Sequence, residues 1–452
     1  MALFIAACSS GSNNSDNPTI ARPSPTTAAA STPAPSSQAW STYHHDATRS
    51  GVADDQAAIG QVHKAWGSSA LDGDVYAQPL VVGGHVIAAT EANSVYALDA
   101  ATGAQVWRAQ LGAPVNGTSL PCGNINPSGI TGTPVVDPSS NTLFVVAFLA
   151  AGTHHELFAL DLANGSTRWH RPIDPPGLAG RVEQERGAAT IANGRVYVPF
   201  GGLFGDCGPY KGAVVSSGLD GQGDLTTFTV PTNREAGIWH PGGPAVDANG
   251  GLWVSTGNSE SSGNFDYGNA VVHLSPQLQA VDYFAPTNWL KLNQGDIDLG
   301  SIGPALVGTN RVLAAGKQGI AFLLDRAHLG NIGGSITQIQ ACTGGGAFGT
   351  AAVQGTTVFV PCTDGLVAIG TAGDKLTSAW RRPGAAGPPI VAAGLVWDVT
   401  NSGTLVALDP ATGQQRFSTQ LGDPASRFVS PSAADGRLFV APTNTVVAFS
   451  LR

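Results

Sequence analysis

The sequence predicts an all-β fold: a β-propeller of about eight four-stranded antiparallel blades, its ring closed by pairing the C-terminal strand with an N-terminal one. Three observations predict it. The peptide VYALDAATGAQVW at Val95–Trp107 returns with drift roughly every 40 to 60 residues down to the C-terminus, and self-similarity at such a period marks a repeat architecture. The 452 residues include 59 Gly and 30 Pro but only 12% charged residues, a composition of short strands and tight turns rather than helices. The chain ends on a lone strand, VVAFSLR at Val446–Arg452.

The repeat unit reads as a β-hairpin. Val95, Tyr96, Ala97 and Leu98 form a short apolar strand, Asp99 to Gly103 supply turn residues, and Gln105 to Leu111 form a second strand carrying Trp107. Ahead of it, Pro79–Val82 and His85–Thr90 flank Gly83-Gly84, which suits a tight two-residue connection. Two hairpins make one blade. Clear copies begin at Leu157 (LFALDLANGSTRW), Ile320 (IAFLLDRAHLG), Leu366 (LVAIGTAGDKLTSAW) and Leu405 (LVALDPATGQQRF). Degenerate copies from Val214 and Val271 keep the apolar strand, a Gly- or Pro-containing turn and a late aromatic residue. The final strand finds its partner upstream, in Gln61–Ala70 (QVHKAWGSSA), which resembles an orphan outer strand with its Trp. Closing the ring there removes the sheet edges that invite aggregation.

A formal charge of −9 argues against a nucleic-acid partner, which needs a basic face. The chain divides into a lipoprotein-type signal remnant (1–8), a Ser/Thr/Pro/Ala linker (9–39) that cannot bury a core, and the propeller (40–452). The signal is MALFIAAC, where Ile5-Ala6-Ala7 precede Cys8 as in a bacterial lipobox, although no basic n-region is present and the apolar run is short. Lipidation of Cys8 implies a cell-envelope or extracellular location, with membrane contact only through the lipid. No other segment approaches the ~18 apolar residues of a membrane span. Nothing marks an oligomer interface, so a monomer is expected.

Setting Cys8 aside leaves Cys122, Cys207, Cys342 and Cys362, an even number that suggests two disulfides in an exported chain. Cys342 and Cys362 flank one hairpin and can face each other on neighbouring strands. That pairs Cys122 with Cys207, both in Gly/Pro-rich loops, CGNINPSG and GDCGPYKG. A metal site is the weaker reading because no CxxC spacing occurs.

The repeat, with its apolar strand, Asp, Thr-Gly turn and distant Trp, resembles the pyrroloquinoline quinone (PQQ) repeat of the quinoprotein alcohol dehydrogenase-like β-propellers. The resemblance covers roughly residues 40–452. Members include quinone-dependent dehydrogenases and also cofactor-free assembly scaffolds, so the fold does not choose the function. In the dehydrogenases, the resemblance implies a quinone with a calcium or lanthanide ion against it in the funnel, an aspartate as base on the alcohol and a cation at the quinone. Three segments match in the family's order. STGNSESSGN, from Ser255, puts the metal-binding amide oxygen on Asn258. GDIDLGSIGP, from Gly295, puts the base and a metal ligand on Asp298, with Asp296 as a second carboxylate. AGKQGIAFLLDR, from Ala315, puts the quinone-facing cation on Lys317. By the same resemblance Trp239, in GIWHPGGP, is a stacking platform for the cofactor.

Departures from the family pattern weaken the enzyme reading. The adjacent cysteine pair that covers the quinone in many relatives is missing. After Gly201-Gly202, where the metal-binding glutamate is expected, Asp206 is the only nearby carboxylate. No CxxCH occurs, hence no covalent haem, and an active form needs a separate electron acceptor. Arg181–Arg186 (RVEQER) and Glu91 are candidates to line the funnel, whereas His44-His45 and His154-His155 read as surface loops rather than metal sites, since adjacent strand residues point to opposite faces and cannot easily share a metal. The sequence therefore favours a lipid-anchored binding or assembly scaffold with a protein partner. The alternative is a PQQ- and calcium-dependent dehydrogenase of a small alcohol or sugar alcohol.

Overall fold

The computed structural model describes residues 39–53, 60–424 and 426–452. The expected lipid site at Cys8 and all but the last residue of the linker lie outside the described residues. The rest forms eight sheets, each with a four-stranded antiparallel core. Blade I is Leu80–Val82, His85–Ala89, Ser94–Asp99 and Gln105–Gln110. Blade II is Val135–Asp137, Thr142–Leu149, His154–Asp161 and Thr167–Pro172. Blade III is Thr190–Ala192, Arg195–Gly202, Ala213–Gly218 and Thr226–Thr229, and blade IV is Ala245–Val246, Leu252–Ser255, Val271–Leu274 and Ala280–Ala285. Blade V is Ala305–Val307, Arg311–Ala314, Ile320–Asp325 and Thr337–Gln340. Blade VI is Ala352–Gln354, Thr357–Cys362, Gly365–Ala372 and Lys375–Pro383, and blade VII is Ile390–Ala392, Leu395–Val399, Thr404–Leu408 and Gln415–Gln420. Blade VIII takes Ser432–Ala434, Arg437–Val440 and Val447–Ser450 from the C-terminus and His63–Gly67 from the N-terminal side. His63 stands opposite Ser450 and Gly67 opposite Val447, so the ring closes as the sequence predicts.

The repeat signature is the contact between blades. Trp107, on the outer strand of blade I, donates its indole N–H to the Leu162 carbonyl at 3.0 Å. Its ring covers Gly165 in the turn of blade II, where an added Cβ would come within 2.6 Å of it. Gly165 has φ +74°, a conformation that glycine adopts without strain. The same pairing joins Trp66 to Gly103, Trp169 to Gly221 and Trp380 to Gly413. Trp66 and Trp380 likewise donate to the Ala100 and Pro410 carbonyls, at 3.1 and 2.9 Å. The Thr-Gly of ATG is therefore a tryptophan seat, and the distant Trp belongs to the blade before it.

Two features escape the repeat. After Ile320–Asp325 the chain crosses to blade IV, where Asn331–Ile332 lies parallel to Phe284 and Ala285, before returning as Thr337–Gln340. The segment from Trp40 to Ala53 spans the inside of the ring. Ser41, Ala47, Ser50 and Gly51 carbonyls accept from Val136, Val246, Val353 and Val391 at 2.7–2.8 Å, on the inner strands of blades II, IV, VI and VII. Trp40 exchanges backbone bonds with Val81 of blade I, and Arg49 reaches Ala189 and Thr190 of blade III. This plug corrects the reading of His44-His45 as a surface loop: His44 is fully buried and stacks on Tyr43 at 4.5 Å. His155 is buried too, stacked on Phe148 and bonded to Asp174 at 2.7 Å. Opposite faces of a strand both point into packed layers here, since each blade is sandwiched between two others. Cys122 pairs with Cys207 and Cys342 with Cys362, as expected.

Trp107→Ala removes a nearly buried indole from a seat shaped for it, and a cost of ~3–5 kcal/mol in denaturant unfolding is expected. Val106→Ala, on the exposed face of the same strand, is the control and should move stability by no more than about 0.5 kcal/mol.

Candidate functional site

A cavity of about 550 Å³ opens within the ring. Its base rests on the plug through three descending segments. Trp239 and Pro241 line the cavity while His240 between them is fully buried. Phe348 lines it, and Thr350 faces the Tyr43 hydroxyl. Phe428 lines it, and Ser430 lies 3.4 Å from His44 Nε2.

Blades III to V, the degenerate repeats and their neighbour, bring the polar groups together. A Cβ on Gly201 would come 3.0 Å from that of Trp239, and one on Gly202 would strike the Tyr210 ring. The bare Gly201-Gly202 backbone thus makes room for two aromatic rings of the cavity wall. Asp298 follows the short helix Trp289–Gln294 and is only 4% exposed. Its loop is anchored by Asn269, whose Oδ1 accepts the Leu299 N–H at 2.7 Å. Close approach of the next blade needs Gly316, where a Cβ would come 2.5 Å from the Asp298 carbonyl oxygen. The Lys317 N–H then donates to that carbonyl at 2.7 Å.

This backbone pairing sets the side chains. Lys317 Nζ lies 2.8 Å from Asp298 Oδ2 and 2.8 Å from Asp296 Oδ1. Asp298 Oδ1 accepts the Asn258 backbone N–H at 2.6 Å. Lys317 Nζ and the Arg186 guanidinium each lie 5.9 Å from the Trp239 ring centroid, within reach of a cation–π attraction. Burial raises the Asp298 carboxyl above the usual carboxylate range, against the opposing pull of Lys317 and the Asn258 N–H. Burial works against the charge on Lys317, but the Asp298 and Asp296 carboxylates outweigh it and hold its pKa above the ordinary lysine value. The pair can hold or release a proton at a carboxylate kept beside a fixed positive charge, over an indole face.

Of the residues singled out in the sequence, Trp239, Asp206, Asp296, Asp298 and Lys317 line this one cavity. Asn258 touches Asp298 through its backbone, while its side-chain Nδ2 donates to Glu235 Oε2 at 3.3 Å. Asp206 accepts the Tyr210 hydroxyl at 2.5 Å. Among the described residues, no group of three or more His, Cys, Asp or Glu side chains is arranged to hold a metal ion. From Arg181–Arg186 only Arg186 lines the cavity; Glu183 and Glu185 are buried. Glu91 is buried behind the wall, accepting the Gly129 N–H at 2.6 Å, and burial pushes its carboxyl up to about 7. Sequence reasoning missed Tyr76, Tyr210, Phe348, Arg427 and Phe428. They sit in loops outside the repeat, where position in the sequence carries no periodic signal.

The sequence model of the family described as outer membrane protein assembly factor BamB matches residues 63–201 and 338–452, over half of the chain. A polyvinylalcohol dehydrogenase of Sphingopyxis sp. (strain 113P3) is 27% identical over 327 residues, 62% of this chain and 47% of that protein. The chain thus spans about half the length of this curated relative. Among solved structures, the quinohemoprotein alcohol dehydrogenase of Comamonas testosteroni superposes with TM-score 0.70 at 17% identity, covering 92% of this chain and 80% of its own. A europium-containing methanol dehydrogenase gives 0.71 at 13%, covering 92% and 98%. BamB from Moraxella catarrhalis gives 0.58 at 14%, covering 87% and 98%. These structural likenesses establish the propeller fold. From its repeats, its eight blades and the extent of the family match, the chain belongs to the PQQ-type β-propeller family described as outer membrane protein assembly factor BamB.

Proposed function

We propose that the chain is an extracytoplasmic alcohol dehydrogenase of the quinoprotein type. The observation that carries this reading is the pairing of buried Asp298 with partly exposed Lys317 at the wall of a cavity floored by Trp239. Burying the Asp298 carboxylate costs several kcal/mol before its attraction to Lys317 repays it, a cost that a propeller acting purely through its surface has no need to meet. The segment 202–337, left outside the family match, contains Asp206, Trp239, Asn258, Asp298 and Lys317. The relative named as a polyvinylalcohol dehydrogenase supports the same class of substrate.

The cavity fits a flat, anionic quinone such as PQQ. Trp239 offers an aromatic face, Phe348 and Phe428 offer apolar walls, and Arg186 and Arg427 offer two positive charges for carboxylates. The donor set fits calcium poorly. Both Asp298 oxygens are committed, to Asn258 N–H and to Lys317, and Asp206 holds Tyr210, so a metal at Asn258 and Asp298 has to displace the ammonium. A bound quinone supplies a two-electron acceptor for the C–H hydrogen of the alcohol. The protein supplies the rest: Asp298 accepts the hydroxyl proton, Lys317 keeps that carboxylate oriented and favours negative charge beside it, and Trp239 fixes the plane of the ligand.

The scaffold reading keeps one supporting observation, the family match that bears the assembly factor's description. Titration of the purified protein with PQQ, with and without calcium, separates the two. The enzyme reading expects saturable quenching of tryptophan fluorescence at micromolar PQQ and alcohol-dependent dye reduction; no binding leaves the scaffold. Asp298→Asn should keep PQQ binding and lower kcat/KM by ~10²–10⁴-fold.

Activity should also report the pair through pH. The base works ionised, so kcat/KM rises as pH passes upward through the Asp298 pKa, which burial places above the ordinary carboxylate value. Lys317→Gln removes the charge that opposes this rise, so the acid limb of the profile moves to higher pH; an unmoved limb sinks the assignment of Asp298. Two disulfides suit an oxidising compartment, and attachment through Cys8 belongs to the same proposal: Cys8→Ser should release the protein from the membrane fraction.

A further inference from the structure

The mouth of the cavity is built differently from its floor. Asn124 and Ile125 come from the loop between blades I and II, and Leu203 to Asp206 from the loop inside blade III. Both are irregular, and Cys122–Cys207 joins them. Gly205, at φ +102°, turns the blade III loop against the disulfide, so that an added Cβ would touch Cys122 Cβ at 3.5 Å. A Cβ on Gly123 would likewise touch Leu203, at 3.7 Å. Between Leu203, which is buried, and Gly205, which is pinned, Phe204 has nowhere inward to go. It stands 64% exposed at the edge of the cavity.

A large apolar side chain held in water by a covalent clamp gains only when something apolar covers it. Half-buried Ile125 lies on the disulfide-joined loop beside it, and half-buried Phe348 and Phe428 continue the apolar lining inward toward Trp239, whose ring is 6.4 Å from that of Phe428. The charged groups Asp298 and Lys317 are deeper in the wall, 5% and 22% exposed at their side chains. An occupant that spans both zones has a hydroxyl at its inner end and an apolar body at the mouth.

We propose that Phe204, positioned by the Cys122–Cys207 disulfide, determines substrate choice at this site, and that the substrate is an alcohol with an extended apolar body. This rests on the dehydrogenase reading above. Phe204 and Asp298 line the same cavity, one at its exposed edge and the other in its buried wall, so the body of an alcohol whose hydroxyl is bound at Asp298 is placed to reach Phe204. Each methylene that covers apolar surface at the mouth should then raise kcat/KM by roughly fourfold until the ring is covered. Phe204 acts on the body of the substrate, whereas the cysteines act only by holding Phe204 in place.

The test is dye reduction by the PQQ-loaded full chain over a series of straight-chain primary alcohols from ethanol to octanol. The wild-type protein should prefer the longer alcohols. Phe204→Ser should lose about tenfold or more in kcat/KM for octanol, through KM, with the ethanol value unchanged. The Cys122→Ser/Cys207→Ser double variant should show the same KM-side loss with kcat preserved; should it not fold, Phe204→Ser still decides. A flat chain-length series in an active wild type overturns the inference and leaves the dehydrogenase reading standing. An equal loss for every alcohol in Phe204→Ser also overturns it, assigning the ring to acceptor docking instead. No turnover of any alcohol by the wild type overturns both.

Discussion

Four of the eight blade junctions rest on one contact: a tryptophan on the outer strand of one blade seated on a glycine in the turn of the next. The glycine is needed because the indole lies where a Cβ would be, and because the turn takes a positive φ there. The indole N–H finds a backbone carbonyl of the neighbouring turn at 2.9–3.1 Å in three of the four pairs. In those three the contact joins apolar burial to a satisfied polar group across the blade junction. Trp66 performs the closing step, since its strand completes blade VIII while its ring rests on blade I.

The contact is absent from blades III to V, where the cavity is most polar, and from blade VII, whose outer strand carries Phe417 instead. The outer strands of blades III, IV and V carry Phe228, Phe284 and Ile339 but no tryptophan. Their packing relies on pairs such as Phe284 with Phe322, 5.2 Å apart, and on the added strand Asn331–Ile332. Freed from the repeat, these blades supply the long insertions that carry Trp239, Asn258 and Asp298. Consistency across levels is relaxed in the segment where a site demands particular residues. The plug compensates from within, because Trp40 to Ala53 is hydrogen-bonded to inner strands of six blades and supports the base of the cavity.

Much of this was legible in the order of residues. Val95–Trp107 and its copies predict strand, turn and strand within a residue or two, because alternation and turn chemistry are local. The partner of Val446–Arg452 was legible because a lone strand needs an edge and Gln61–Ala70 has the right shape. The three site segments were legible only by resemblance. His44 and His155 were misjudged because a two-residue rule of facing does not say what lies on either face. Arg427, Phe428 and Phe348 gave no signal, since loops joining blades converge on the cavity from positions far apart in the chain.

By itself the sequence determined the blade, its number of copies and the closure of the ring, all set by local propensity and a period that survives drift. Only the tertiary structure decided that Asp298, Lys317, Asn258 and Trp239 meet, that Lys317 already neutralises Asp298, and that Phe204 stands at the mouth. The reason is physical. Strands and turns are specified by neighbours a few residues away, whereas the burial of a charge and its partner depends on surfaces that come together only when the ring is closed.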